Sequence, residues 1–171
     1  DGFREFKVGF GSKKIIDVTQ WGDIEWESLG DSFSGTINLH HITATDMPDL
    51  SMANSLTSMF FNSNIHTVNN INSWNVSNIT GFDSMFSGAS HFNQAINNWD
   101  VSNAYTMGGM FNRASNFNQP LNDWDVSSVW VMSDMFSQSA FNQPLDNWDV
   151  SNVTDMNRMF FDNHSRIYFP F

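Results

Sequence analysis

A tryptophan followed by an acidic or amide residue, an aliphatic residue and serine recurs at a fixed interval, and that interval leaves few architectures open. The segments are Trp74-Asn75-Val76-Ser77, Trp99-Asp100-Val101-Ser102, Trp124-Asp125-Val126-Ser127 and Trp148-Asp149-Val150-Ser151. Each tryptophan follows the last at a spacing of about 25 residues, the length of one unit in a repeat protein. A Met-Phe pair ends at the twelfth residue after each: Met85-Phe86, Met110-Phe111, Met135-Phe136 and Met159-Phe160. Seven residues before the last three tryptophans stand Phe92, Phe117 and Phe141, each opening a Phe-Asn-Gln element. Self-similarity at this period marks a chain built from units too small to bury an apolar face alone, each covering its neighbour.

The frame continues upstream in weaker form. Leu50, Ala53, Leu56, Met59 and Phe60 stand where Val76, Ile79, Phe82, Met85 and Phe86 stand one unit later, and twelve residues before Phe33 lies Trp21. The stretch 21–160 therefore reads as an array of five to six units, each of about 24–26 residues. Residues 1–20 read as an N-terminal cap or partial unit and residues 161–171 as a C-terminal cap, all in one domain.

Within a unit, Leu121-x-x-Trp124-x-Val126 has the spacing of a strand whose apolar side chains enter a core. Val129, Met132, Met135 and Phe136, at offsets of 0, 3, 6 and 7, fit one face of a short helix, with Ser127 or Ser128 as its N-cap. The expected fold is an α/β, right-handed leucine-rich-repeat solenoid, with a parallel sheet on one face and short helices on the other.

The consensus Phe-Asn-Gln-Pro-Leu-x-x-Trp-Asp-Val-Ser with its Met-x-x-Met-Phe partner resembles the BspA-like, or DUF285, leucine-rich repeat. The upstream segments Gln20–Trp26 and Thr45–Ser51 resemble that family's entry units, so the likeness covers nearly the whole chain. Residues 65–70 lack the Phe-Asn-Gln element and residues 164–171 depart from the consensus. The resemblance implies a module of bacterial surface proteins and adhesins, extracellular, attached to host proteins or other cells, and without enzymatic activity.

Charge narrows the partner classes. The chain carries 7 basic and 18 acidic residues, a net charge of -11. From Trp21 to Phe160 there are 14 acids and only Arg113 and Arg158 as bases. Such a body cannot replace the counterions of a phosphate backbone, so nucleic acid is excluded as a partner. No apolar run approaches the roughly 18 residues that span a bilayer, so this segment is not expected to insert in a membrane. Its first residues lack a signal-peptide layout, and a chain starting at Asp1 reads as a piece of a larger surface protein. With no cysteine, neither a disulfide framework nor a thiolate zinc site is open to it.

Stacking turns each consensus position into a ladder. Asn75, Asp100, Asp125 and Asp149 follow the tryptophans, and Asn98, Asp123 and Asn147 precede them; these seven form the candidate ligand-binding row. Stacked carboxylates repel, so Asp100, Asp125 and Asp149 need solvation, hydrogen bonds from neighbouring serines, or a hard cation such as calcium bridging them. A purely structural role at a turn competes with ligand binding there. No other cofactor is implied. Tyr105 and Trp130 stand where Thr80 and Thr154 stand in neighbouring units and form a second candidate, an aromatic contact patch. The Trp column and the Asn93, Asn118 and Asn142 column read as structural.

No acid, base and nucleophile converge in the pattern. His40, His41, His66, His91 and His164 read as having no shared spacing, and no His-Glu-x-x-His or phosphate-binding loop occurs. Asn-x-Ser/Thr sequons at Asn75, Asn78, Asn152 and Asn163 are by-products of the consensus. The expectation is a non-catalytic adhesion module that binds a protein, peptide or glycan through the acidic row. The alternative is a spacer or scaffold in a longer surface protein.

Overall fold

The computed structural model describes residues 13–163, so the outer parts of both expected caps, with His164, lie outside the described residues. The chain winds through layers that lie in register, one for each unit. Parallel bridges join Ser55 to Gly81, Gly81 to Thr106, Thr106 to Val131 and Val131 to Asp155, with Glu25 bridging Asp49 nearer the start. Among the described residues, regular strands are confined to β1 (His41–Ile42) and β2 (Thr67–Val68), paired in parallel with His41 opposite Thr67. One 3-10 turn, Ile71–Ser73, completes the elements.

The expected α/β solenoid of strands and helices is therefore wrong. Among the described residues there is no α-helix and no multi-strand sheet. The backbone shows why. From Leu56 to Asn62, alternate amides leave the layer: Leu56 N–H donates to Gly81 O, Ser58 to Asp83 O, Phe60 to Met85 O and Asn62 to Ser87 O, at 2.7–3.0 Å. The amides between them close turns, Met59 to Leu56 O, Phe61 to Ser58 O and Ser63 to Phe60 O, each at 3.1 Å. A helix would send every amide four residues back along its own chain. Two residues in each unit also take the left-handed conformation, as at Ser58 and Asn62 (φ 57° and 51°) and at Asp134 and Gln138 (φ 53° and 55°). A right-handed helix cannot contain them.

The expected strand is equally a pair of turns. Trp124 N–H donates to Leu121 O at 3.1 Å and Val129 N–H to Val126 O at 2.9 Å. The bridging residues Gly81, Thr106, Val131 and Asp155 instead lie seven residues after their tryptophans.

What the apolar pattern does fix is the core. Phe33, Phe60, Phe86, Phe111, Phe136 and Phe160 stack from layer to layer with centroids 5.5–5.7 Å apart and planes within 13°. Phe92, Phe117 and Phe141 form a second column. Trp99 and Trp124 stack at 6.4 Å, and the indole N–H of Trp99, Trp124 and Trp148 reaches back to Ile71 O, Ile96 O and Leu121 O. Side chains thus complete the inter-layer bonding that a sheet would otherwise supply.

Candidate functional site

The turn after each tryptophan begins with a carboxylate or amide that caps its own bend. Asn75 Oδ1 accepts from Ser77 N–H at 3.3 Å and Ser77 Oγ at 2.8 Å. Asp100 Oδ1 does the same with Ser102 (3.1 and 2.6 Å), and Asp125 Oδ1 with Ser127 (3.0 and 2.6 Å). Asp149 Oδ1 accepts from Ser151 N–H at 3.0 Å. An Asx turn of this kind uses one oxygen and keeps the side chain at the surface, and all four residues are exposed.

The Ser127 and Ser151 hydroxyls, then their amides, hold the Asp125 and Asp149 carboxyls below the usual aspartate range; slight burial opposes this at both, and at Asp125 so does the neighbouring Asp149 charge. The row is longer than the sequence reading placed it. Asp49 makes the same bond to Ser51 N–H at 2.9 Å, and Pro48-Asp49-Leu50-Ser51 is one unit before Trp74-Asn75-Val76-Ser77. The upstream frame through Leu50 and Phe60 was the signal for it.

Four of the seven row residues come together in one place. Asp123, Asp125, Asn147 and Asp149, with Asn122, Trp124 and Val126, line an open cleft of about 310 Å³ between adjacent layers. Asn75, Asp100 and Asn98 lie along the row outside it. Asn98 and Asn147 are fixed through their backbones, whose amides donate to Asn72 Oδ1 and Asn122 Oδ1 of the preceding layer at 3.0 Å. Asp100, Asp125 and Asp149 each serve their own turn. Among the described residues, no three acidic or histidine side chains converge as a ready-made metal site.

The two arginines of the array are occupied elsewhere. Arg113 Nε donates to Gln138 Oε1 at 2.9 Å, and Arg158 Nε lies 3.2 Å from Asp134 and packs over Phe161. Tyr105 and Trp130 stack on each other at 5.7 Å with 48 % and 58 % of their surface exposed. Their backbones belong to a ladder in which Tyr105 N–H donates to Thr80 O, Trp130 to Tyr105 O and Thr154 to Trp130 O. The tryptophan column is buried in the stack, and the Asn93–Asn118–Asn142 column ties layers together at the surface: Asn93 Oδ1 accepts Asn118 N–H, and Asn118 Oδ1 accepts Asn142 N–H.

One cluster escaped the sequence reading. His40, His66 and His91 recur at the repeat interval itself, so the layers place them in a column beside His41. Ring centroids lie 5.4 Å apart for His40–His66, 5.7 Å for His41–His66 and 4.5 Å for His66–His91. Partial burial, then the neighbouring His91, His40 and His41, hold the His66 pKa below its ordinary value.

Together these features define a domain of stacked, parallel-laddered layers that displays one chosen side chain per layer. The chain belongs to the family described as Mycoplasma protein of unknown function, DUF285, whose family model matches residues 54–167, two thirds of its length. No curated protein and no solved structure matches it.

Proposed function

We propose that this chain is a non-catalytic adhesion module akin to the BspA-like surface proteins, displayed outside a bacterial cell as part of a larger surface protein. It binds a protein, peptide or glycan on another surface through the acidic row and the cleft at Asp123, Asp125, Asn147 and Asp149. The observation that carries this reading is the exposure of the row. Its carboxylates are held on rigid turns, and the array's two arginines are engaged with Gln138 and Asp134 rather than with the row. A fixed field of one sign steers and selects an oppositely charged partner more than it adds raw affinity. The same field favours partner segments carrying lysine or arginine, with Tyr105 and Trp130 available to stack on a guanidinium, an aliphatic stem or a sugar face.

The test is binding of the full chain to peptide and glycan arrays, in calcium and again in chelator, beside a variant carrying Asp100→Asn, Asp125→Asn and Asp149→Asn. Asparagine keeps the turn, as Asn75 does in its own unit, and removes the charge. Specific, salt-sensitive binding that the variant loses supports the adhesin reading. Intact, folded protein that binds nothing in either buffer refutes it and leaves a spacer in a longer surface protein.

A further inference from the structure

We propose that His40, His41, His66 and His91 form a proton-sensitive latch that holds segment 90–94 against β2 at neutral pH and releases it on mild acidification. Three adjacent layers contribute the rings. His66 lies face to face with His91, with centroids 4.5 Å apart and planes within 14°, and its other neighbours are His40 at 5.4 Å and His41 at 5.7 Å. Neutral imidazoles stack in this way without charge repulsion. Imidazolium ions at the same spacing repel, so each ring disfavours the charged form of the next. Among the described residues, the charges acting on His66 are those of His91 in the following layer and of His40 and His41 in the preceding one, all of one sign. Lys14 stands one interval before His40 and carries the same sign. Asp17 is the carboxylate that interacts with His41, and it is bonded to Thr43 N–H at 2.9 Å and to the Thr43 hydroxyl at 2.5 Å.

The bonding on either side of His66 decides where the column gives. β1 and β2 are joined by main-chain bonds, His66 N–H and Thr67 N–H to His40 O and Asn69 N–H to Ile42 O, at 2.8–3.2 Å. Towards the following layer β2 is held by the Gln94 side chain, whose Oε1 accepts Val68 N–H at 2.5 Å and whose Nε2 donates to Val68 O at 3.3 Å. The exposed His91 side therefore yields first. Phe92, stacked on Phe86 at 4.1 Å, anchors the segment in the core, so the release is local and the stack itself stays closed. Burial, then His91, His40 and His41, hold His66 below the ordinary histidine value of 6.5. A ring depressed in this way binds fewer protons closed than open, so the closed form is fully favoured above 6.5 and loses ground as pH falls below it. The Asp125 and Asp149 carboxyls, held below the aspartate range chiefly by the Ser127 and Ser151 hydroxyls, stay charged throughout. The histidine face responds to mild acid while the acidic row does not.

Amide hydrogen exchange of the full chain is followed by NMR at about pH 7.5 and about pH 5.0, with rates corrected for the intrinsic effect of pH. Val68 N–H is expected to open at least about fivefold more at the lower pH, the factor that two unit charges at the His66–His91 spacing give in water. The amides of Phe60 and Phe86 in the core, and the far-ultraviolet circular dichroism, stay unchanged. His66→Gln and the exposed-site variant His91→Gln each remove the increase, and in His91→Gln the His66 ring titrates at a higher pH than in the native chain. Val68 exchange that does not respond to pH overturns the proposal, as does an increase that either folded variant retains. Loss of the circular dichroism signal at the lower pH overturns it too, because the whole stack then opens rather than one segment.

Discussion

Replacing Trp74 and Trp99 by phenylalanine, one at a time, separates the contribution of the indole N–H from that of the ring. Both side chains are 3 % exposed and occupy equivalent places in adjacent layers. Trp99 Nε1 donates to Ile71 O at 2.7 Å. Trp74 Nε1 is buried without an acceptor; the equivalent carbonyl one unit back, Thr45 O, accepts Asn70 Nδ2 at 3.0 Å instead. Pro48 fills the tryptophan slot of that earlier layer, and Trp21 meets Trp74 edge-on at 5.4 Å.

Contraction of indole to a phenyl ring leaves a similar void at each site. Trp99→Phe also loses a hydrogen bond of about 1 kcal/mol net, because Ile71 O keeps its bond from Trp74 N–H at 3.2 Å. Trp74→Phe instead removes an unsatisfied donor, recovering about 1–3 kcal/mol. Trp99→Phe is therefore the more destabilising by about 2 kcal/mol or more, a gap of about 4–8 °C in Tm for a chain of this size. Urea and thermal unfolding followed by far-ultraviolet circular dichroism measure it. Equal losses at the two sites, or a larger loss at Trp74, would refute the account of the orphaned indole.

Two further outcomes follow from the same bonding. Asn118→Ala removes the acceptor of Asn142 N–H (2.8 Å) and Gln143 Nε2 (3.2 Å) and costs about 1–2 kcal/mol. Asn142→Ala, whose side chain accepts no amide of a later layer among the described residues, stays within about 0.5 kcal/mol; parallel urea melts compare the two. Acid should loosen the start of the stack first, because the amides of Trp21 and then Gly22 hold the Asp46 carboxyl below the ordinary aspartate value of 3.8, against the opposing effect of burial. A depressed carboxyl binds fewer protons folded than unfolded, so its stabilisation is complete above the unfolded value and is lost as pH falls through the folded one. Hydrogen exchange at Trp21 and Gly22 should accelerate below that range in the native chain, and Asp46→Asn should remove most of this pH dependence.

The repeat interval and the identity of the buried side chains were legible from the sequence; the backbone that carries them was not. Val129, Met132, Met135 and Phe136 do all turn inward, but offsets of 0, 3, 6 and 7 suit a row of linked turns as well as a helix. The two differ at the left-handed positions ten and fourteen residues after each tryptophan slot. Those positions hold Asp31 and Gly35, Ser58 and Asn62, Ser84 and Gly88, and Gly109 and Arg113. Glycine and aspartate recurring there, with Asn62, were a turn signal, diluted by Arg113, Gln138 and Arg158, whose side chains give no hint of positive φ. The Asx caps were legible because Asp-Val-Ser carries its own hydrogen bond. The histidine column was equally legible, but only when histidine positions are compared at the repeat interval rather than with known local motifs. The cleft at Asp123 and Asp149 depends on how two layers abut, which no single unit encodes.

That dependence points to where binding can vary without loss of the fold. Asn78, Asn103 and Asn152 send their amides to Ser51 O, Ser77 O and Ser127 O of the preceding layer at 2.8–3.0 Å. Replacing any of them breaks a staple between layers. In the Trp124 unit that slot is Ser128, and the same unit carries the exposed Trp130 and contributes Asp123 and Asp125 to the cleft. The layer that lacks this side-chain staple thus carries the exposed Trp130 and contributes to the concave acidic surface, whereas the layer of the exposed Tyr105 keeps its staple through Asn103. Backbone bonds between layers tolerate this exchange, since Trp130 N–H still reaches Tyr105 O at 2.9 Å and Thr154 N–H reaches Trp130 O at 2.9 Å. Recognition can therefore be written into individual layers while the phenylalanine spine and the main-chain ladder hold the stack.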